Sequence, residues 1–199
     1  MSAILAVLQG NAEGQKEGVS RAAAGEAGGR KMELTEEQKT EYFRRSYTAV
    51  DGLWFMKVEE RMGFEAALQI DQAVWEILPK IQARALKAMM DLPAGLAGLE
   101  QALSARLALE GFDLEIERHE EGLMVMVRSC PWHQIMIKSG RVALSERVSD
   151  VICRVENETW AREFSEPGVE IGFEREARLC RGEGMCRLWF GKKEARGQR

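Results

Sequence analysis

The chain has 199 residues, 28 of them Lys or Arg and 32 Asp or Glu, for a formal net charge of −4, and its mean hydropathy is −0.30. That balance leaves no electrostatic footprint for nucleic acid, and no apolar run is long enough to span a bilayer. Four cysteines are too sparse for a disulfide scaffold, and no signal-peptide pattern opens the chain, so reduced thiols and a cytoplasmic location are expected.

Residues 1–31 read as a tail: Ala3 to Leu8 is a short apolar run, and Gly10 to Lys31 is mostly Gly, Ala, Glu and Lys with no face to bury, which predicts disorder. One domain is expected over residues 32–191, followed by a basic disordered tail at 192–199. Thr35 before Glu36-Glu37 predicts a helix start, and Phe43, Tyr47, Val50, Trp54 and Val58 form an apolar stripe down to Met62-Gly63. A second helix carries Ala67, Ile70, Val74, Ile77, Ile81 and Ala85, bent at Pro79. Pro93 and Gly95 mark a break, and a third helix is predicted over Leu96 to Glu110, stopping at Gly111.

From Phe112 the period changes to two. Phe112, Leu114 and Ile116 alternate with acids, a strand with one wet face, while Leu123 to Val127 is apolar throughout and predicts an interior strand covered on both sides. Residues 142–164 return to helical spacing. Val169, Ile171 and Phe173, then Cys186, Leu188 and Phe190, predict two more strands. The fold class is therefore α+β: a helical half, 34–111, packed on a half of about four antiparallel strands with a long inserted helix, 112–191.

All four cysteines lie in the second half. Cys180 and Cys186 flank a loop with two glycines, so a hairpin is expected to set them opposite each other, at a spacing that a metal ion bridges more readily than a disulfide does. Cys153 falls inside the long helix, at the edge of its apolar stripe. In Cys130-Pro131-Trp132-His133 the proline suits the first position of a short helix, which puts Cys130 at a helix N-terminus, where a thiol pKa falls, and His133 one turn on. That pair supplies either two metal ligands or a thiolate with its base. The alternative reading is a set of buried structural cysteines and a solvent-facing histidine.

The segment from Cys153 to Phe190, with one cysteine on a helix and Cys180-Arg-Gly-Glu-Gly-Met-Cys186-Arg-Leu-Trp-Phe190 on the last hairpin, resembles the end of a 4-vinyl-reductase-type domain. That resemblance implies zinc held by Cys153, Cys180 and Cys186. The family's acidic fourth ligand falls here on Ala177, leaving Glu176, Cys130 or His133 to complete the set. The stretch from Met32 to Phe190 is similar to a bacterial and archaeal family labelled L-2-amino-thiazoline-4-carboxylate hydrolase-like, through Tyr47 to Glu60, Asp71 to Trp75 and Cys130 to His133.

In the helical half, Glu59 and Asp71 are candidate general acids or bases and Trp75 stands one turn after Asp71; Trp54 and Trp75, with Trp132 of the sheet half, are candidate pocket walls. Solvated helix acids and core tryptophans are the plainer alternatives. The expected function is a zinc-stapled small-molecule-binding module, regulatory or accessory, with a homodimer through the N-terminal helices. The alternatives are a metal-dependent hydrolase of a small cyclic amidine or amide, and iron or an iron–sulfur cluster in place of zinc.

Overall fold

The computed structural model describes residues 33–193, so the two expected tails, apart from Lys192 and Lys193, lie outside the described residues. Helix α1 runs from Glu36 to Met62. Thr35 opens it as expected: its hydroxyl accepts from the Gln38 N–H at 3.2 Å while the Gln38 side chain accepts from the Thr35 N–H at 2.9 Å. Gly63, at φ 87°, turns the chain into α2, Phe64–Trp75. The expected bent helix is in fact two. Proline lacks the N–H that would continue the ladder, and the chain breaks at Glu76-Ile77 before α3, Leu78–Met90, which carries Pro79 in its first turn. After the left-handed Asp91, helix α4 spans Leu96–Glu110 and stops at left-handed Gly111.

Most of the apolar stripe of α1 does not face the core. Phe43, Val50 and Trp54 are 68%, 68% and 63% exposed, and no residue of α1 is fully buried. The face turned inward is Tyr47, Thr48, Asp51, Gly52 and Phe55, a more polar set than the periodicity suggests. Of the second stripe only Ala67 is buried, whereas Val74, Ile77 and Ile81 are exposed, and the buried residues beside it are Leu68 and Trp75.

The second half follows the predicted order. Strands β1 (Asp113–Arg118) and β2 (Gly122–Ser129) form a hairpin. Helices α5 (Pro131–Lys138) and α6 (Val142–Phe164) follow, then β3 (Ile171–Ala177), a 3-10 turn over Leu179–Arg181 and β4 (Cys186–Lys192). The sheet is antiparallel throughout, in the order β1-β2-β4-β3. Val169, expected in a strand, instead pairs with Glu166 in an isolated bridge before β3.

The inner sheet face, with Leu123, Val125, Val127 and Phe190, packs on Leu99, Leu103, Trp160 and Phe164 of α4 and α6. Strand β2 is interior to the sheet and, as expected, buried on both faces through Met124, while Glu115, Glu117, Glu174, Glu176 and Arg187 of the other strands are exposed on its outer side. There Met124 lies opposite Trp189, whose indole spreads over Gly122 and Gly191; a β-carbon on Gly122 would sit 2.5 Å from that ring and 2.5 Å from the Phe190 carbonyl oxygen. A smaller apolar cluster, with Leu68, Trp75 and Ile152 at its centre and Tyr47, Phe55 and Trp132 around them, joins α1 and α2 to α6. No helix among the described residues is long and apolar enough to cross a membrane.

Candidate functional site

A cavity of about 160 Å³ opens beside that smaller cluster, between α1, α2, α5, α6 and the β3–β4 connection. Helical spacing brings its walls together. Thr48, Asp51, Gly52 and Phe55 come from α1, Asp71 and Trp75 from one face of α2, Trp132 and His133 from α5, and Ile152, Cys153 and Glu156 from α6. Trp132 stands nearly perpendicular to both Trp75 and Tyr47, with ring centroids 6.1 and 5.9 Å away, the edge-to-face arrangement that aromatic quadrupoles favour.

One end of the cavity is acidic. Asp51 and Asp71 lie close enough that the charge of Asp51 is felt by Asp71. Burial pushes Asp71 up to about 7, helped by Asp51, and pushes Asp51 up to about 6; hydrogen bonding from the Trp75 side chain opposes each shift. Behind them, Arg106 of α4 is 3% exposed and bonds Glu110 at 3.0 Å and Glu156 across the core. Its desolvation is outweighed by these two carboxylates, which keep it charged, while burial lifts Glu156 to about 7 against the pull of Arg106. The Tyr47 hydroxyl and Arg106 Nη1 are cut off from solvent with no partner among the described residues, and burial, then the charges of Glu110, Glu156 and Asp51, drive the Tyr47 phenol upward.

The other end is sulfur. All four cysteines line the same cavity, but not by the route expected. Cys186 opposes Val127 of β2, and Cys180 sits on the 3-10 turn, so the two do not face each other across a ladder. Cys180 Sγ lies 2.9 Å from the Ser149 hydroxyl, and Cys186 Sγ accepts from the Leu179 N–H at 3.3 Å. Cys130 is the N-cap of α5, as its sequence suggests. Burial nevertheless pushes its thiol up to about 12, and the backbone bonds from His133 and Trp132 only partly oppose that. The expected lowering is thus reversed, because at this helix end desolvation outweighs the N–H donors. Burial likewise raises Cys153 and Cys186. His133 turns to Ser145, its Nδ1 2.8 Å from that hydroxyl.

Four thiols and an imidazole are the donor types of a zinc site. Among the described residues, however, no group of three or more His, Cys, Asp or Glu side chains is placed so as to hold a metal ion. Glu176, the acidic alternative, is bound to Arg187 at 3.1 Å on the surface. The residues as arranged do not fit a bound zinc ion.

Of the residues singled out from sequence, the fold gathers Asp71, Trp75, Trp132, Cys130, His133, Cys153, Cys180 and Cys186 around one cavity. It leaves out two. Trp54 projects into solvent, and Glu59 is held by the Arg141 guanidinium through two 2.7 Å hydrogen bonds. Arg106 and Glu156 escaped sequence reasoning although each left a trace: Arg106 interrupts the buried stripe Leu99-Ala102-Leu103-Leu107, and Glu156 stands between Ile152 and Trp160 on another. A charge on a buried stripe signals a partner in the interior.

No curated protein matches the chain. Residues 33–164, from α1 to the end of α6, match a family of unknown function, DUF6125. This stretch carries the acidic end of the cavity, Cys130, His133 and Cys153, while Cys180 and Cys186 lie beyond it. The chain belongs to that family, DUF6125.

Proposed function

We propose that the protein is a small-molecule-binding module, regulatory or accessory in role and cytoplasmic, whose ligand occupies the cavity between the helical half and the sheet half. The observation that carries this reading is the cavity itself: about 160 Å³, walled by Trp75, Trp132 and Phe55, with a few polar groups at its ends. Such concave, mostly apolar sites with convergent polar groups are where small ligands bind. An engineered apolar cavity of about 150 Å³ takes up benzene, so the space suits one ring with a small substituent. Zinc is left out of this proposal because, among the described residues, no three His, Cys, Asp or Glu side chains are placed to hold a metal ion. Hydrolysis of a small cyclic amidine or amide is the second reading, and the raised Asp51–Asp71 pair favours it as a source of general acid and base. The exposed apolar face of α1 supports pairing with a second copy through the N-terminal helices.

Gly52 provides the test. It lines the cavity, and a β-carbon added to it would meet nothing within 4 Å. Gly52→Leu is expected to fold with undiminished stability, since glycine inside a helix costs about 1 kcal/mol relative to alanine. It should also abolish uptake of ring-sized probes seen by ligand-observed NMR. Unaltered probe uptake in a folded Gly52→Leu protein rejects the cavity as the binding site.

A further inference from the structure

We propose that the cavity selects a ring-sized organic monocation, with its positive group seated between Asp51 and Asp71 and its ring against Trp75 and Trp132; this rests on the small-molecule reading above. The argument is one of charge. Asp51 from α1 and Asp71 from α2 turn into the same largely apolar space, and none of the groups acting on either of them is a cation. Every basic group nearby is already committed. Arg106 serves Glu110 and Glu156, Arg141 at the rim serves Glu59, and His133 is bonded to Ser145. Of the remaining titratable neighbours, Cys130, Cys153 and Cys186 are pushed upward by burial and supply no positive charge.

Two carboxyl groups removed from water with no positive partner are a costly arrangement. A folded protein retains such groups where something outside the chain completes them, and unpaired, strongly shifted acids in a cleft mark ligand sites for that reason. An anionic ligand would meet repulsion from Asp51 and Asp71, and a neutral one would leave both unpaired. A cation neutralises one of them and donates hydrogen bonds to their oxygens, while Trp75 and Trp132, with ring centroids 6.1 Å apart, line the same cavity and supply the aromatic surroundings that attract positive charge.

Three probes of one shape and different charge decide the matter: benzylammonium, benzyl alcohol and benzoate, titrated calorimetrically into the full chain at pH 8. Benzylammonium is expected to bind at least about tenfold more tightly than the alcohol, as one charge-assisted hydrogen bond warrants, and benzoate not at all. Asp51→Asn and Asp71→Asn should each remove that advantage while leaving alcohol binding intact, which also reports that the variants are folded. Equal affinity for ammonium and alcohol in the unmodified protein overturns the cation inference and leaves the small-molecule reading standing. Failure of all three probes to bind overturns both.

Discussion

Asp71 is expected to make stability depend on pH in an unusual direction. Its pKa in the folded protein, about 7, lies above its ordinary value of 3.8. The folded state therefore holds a proton that the unfolded chain releases between these values. Stability from this group is fully present below pH 3.8 and is lost as pH rises towards 7. Asp71→Asn removes the titration and keeps an acceptor for Trp75. Urea unfolding should find the variant more stable than the parent by about 1 kcal/mol at pH 8, after allowance for the carboxyl's partial exposure, and no more stable at pH 3.5. A loss of stability at pH 8 would mean that an unrecognised cation pairs with Asp71. The acid was visible in sequence; what was not is that Asp51, twenty residues earlier, meets it across a helix junction set by Gly63.

At the scale of elements, the regular part of the fold was legible and its faces were only partly so. Helix α4 was readable from Leu96 to Glu110 because Gly95 and Gly111 both need positive φ, and glycine supplies it without strain. The sheet half was readable from the switch in period. Periodicity names a face, though, and does not say what covers it, which is why Phe43, Val50 and Trp54 seemed core residues. The β3–β4 connection was misjudged for a related reason: two cysteines around a loop with two glycines suggest a hairpin that sets them face to face, whereas Cys180 sits on a 3-10 turn and Cys186 opposes Val127, and ion pairs join the connection to α6. Arg175 and Arg178, with side chains 8% and 11% exposed, both reach Asp150 of α6. Arg175 also donates to the Ser149 carbonyl at 2.8 Å, and Arg181 pairs with Glu146. Asp150→Ala should accordingly lower stability by about 1–3 kcal/mol, because two largely buried guanidinium groups lose their carboxylate. Incubation with a chelator should leave the melting temperature unchanged. A fall of several degrees on chelation would restore the metal staple.

For the whole molecule, the distribution of apolar surface matters more than its amount. Tyr42, Phe43, Val50 and Trp54 expose 62%, 68%, 68% and 63% of their surface on one helix, and single exposed apolar residues are ordinary whereas a contiguous group of aromatics marks an interface. Sedimentation of the full chain is expected to show a dimer, and Trp54→Glu should convert it to monomer without loss of helical content, since Trp54 supports no core contact. A monomer at all concentrations in the parent protein would dismiss the pairing.

The indole of Trp189 occupies the space where side chains at 122 and 191 would begin. Positions 122, 189 and 191 are therefore one unit of inheritance: a lineage that gains a side chain at 191 must first shrink residue 189, one that gains a side chain at 122 must also move the Phe190 carbonyl, and one that keeps tryptophan at 189 can keep only glycine beneath it. The outer face of the sheet is in this sense paved by its own strand, and evolution can relay that paving only three stones at a time.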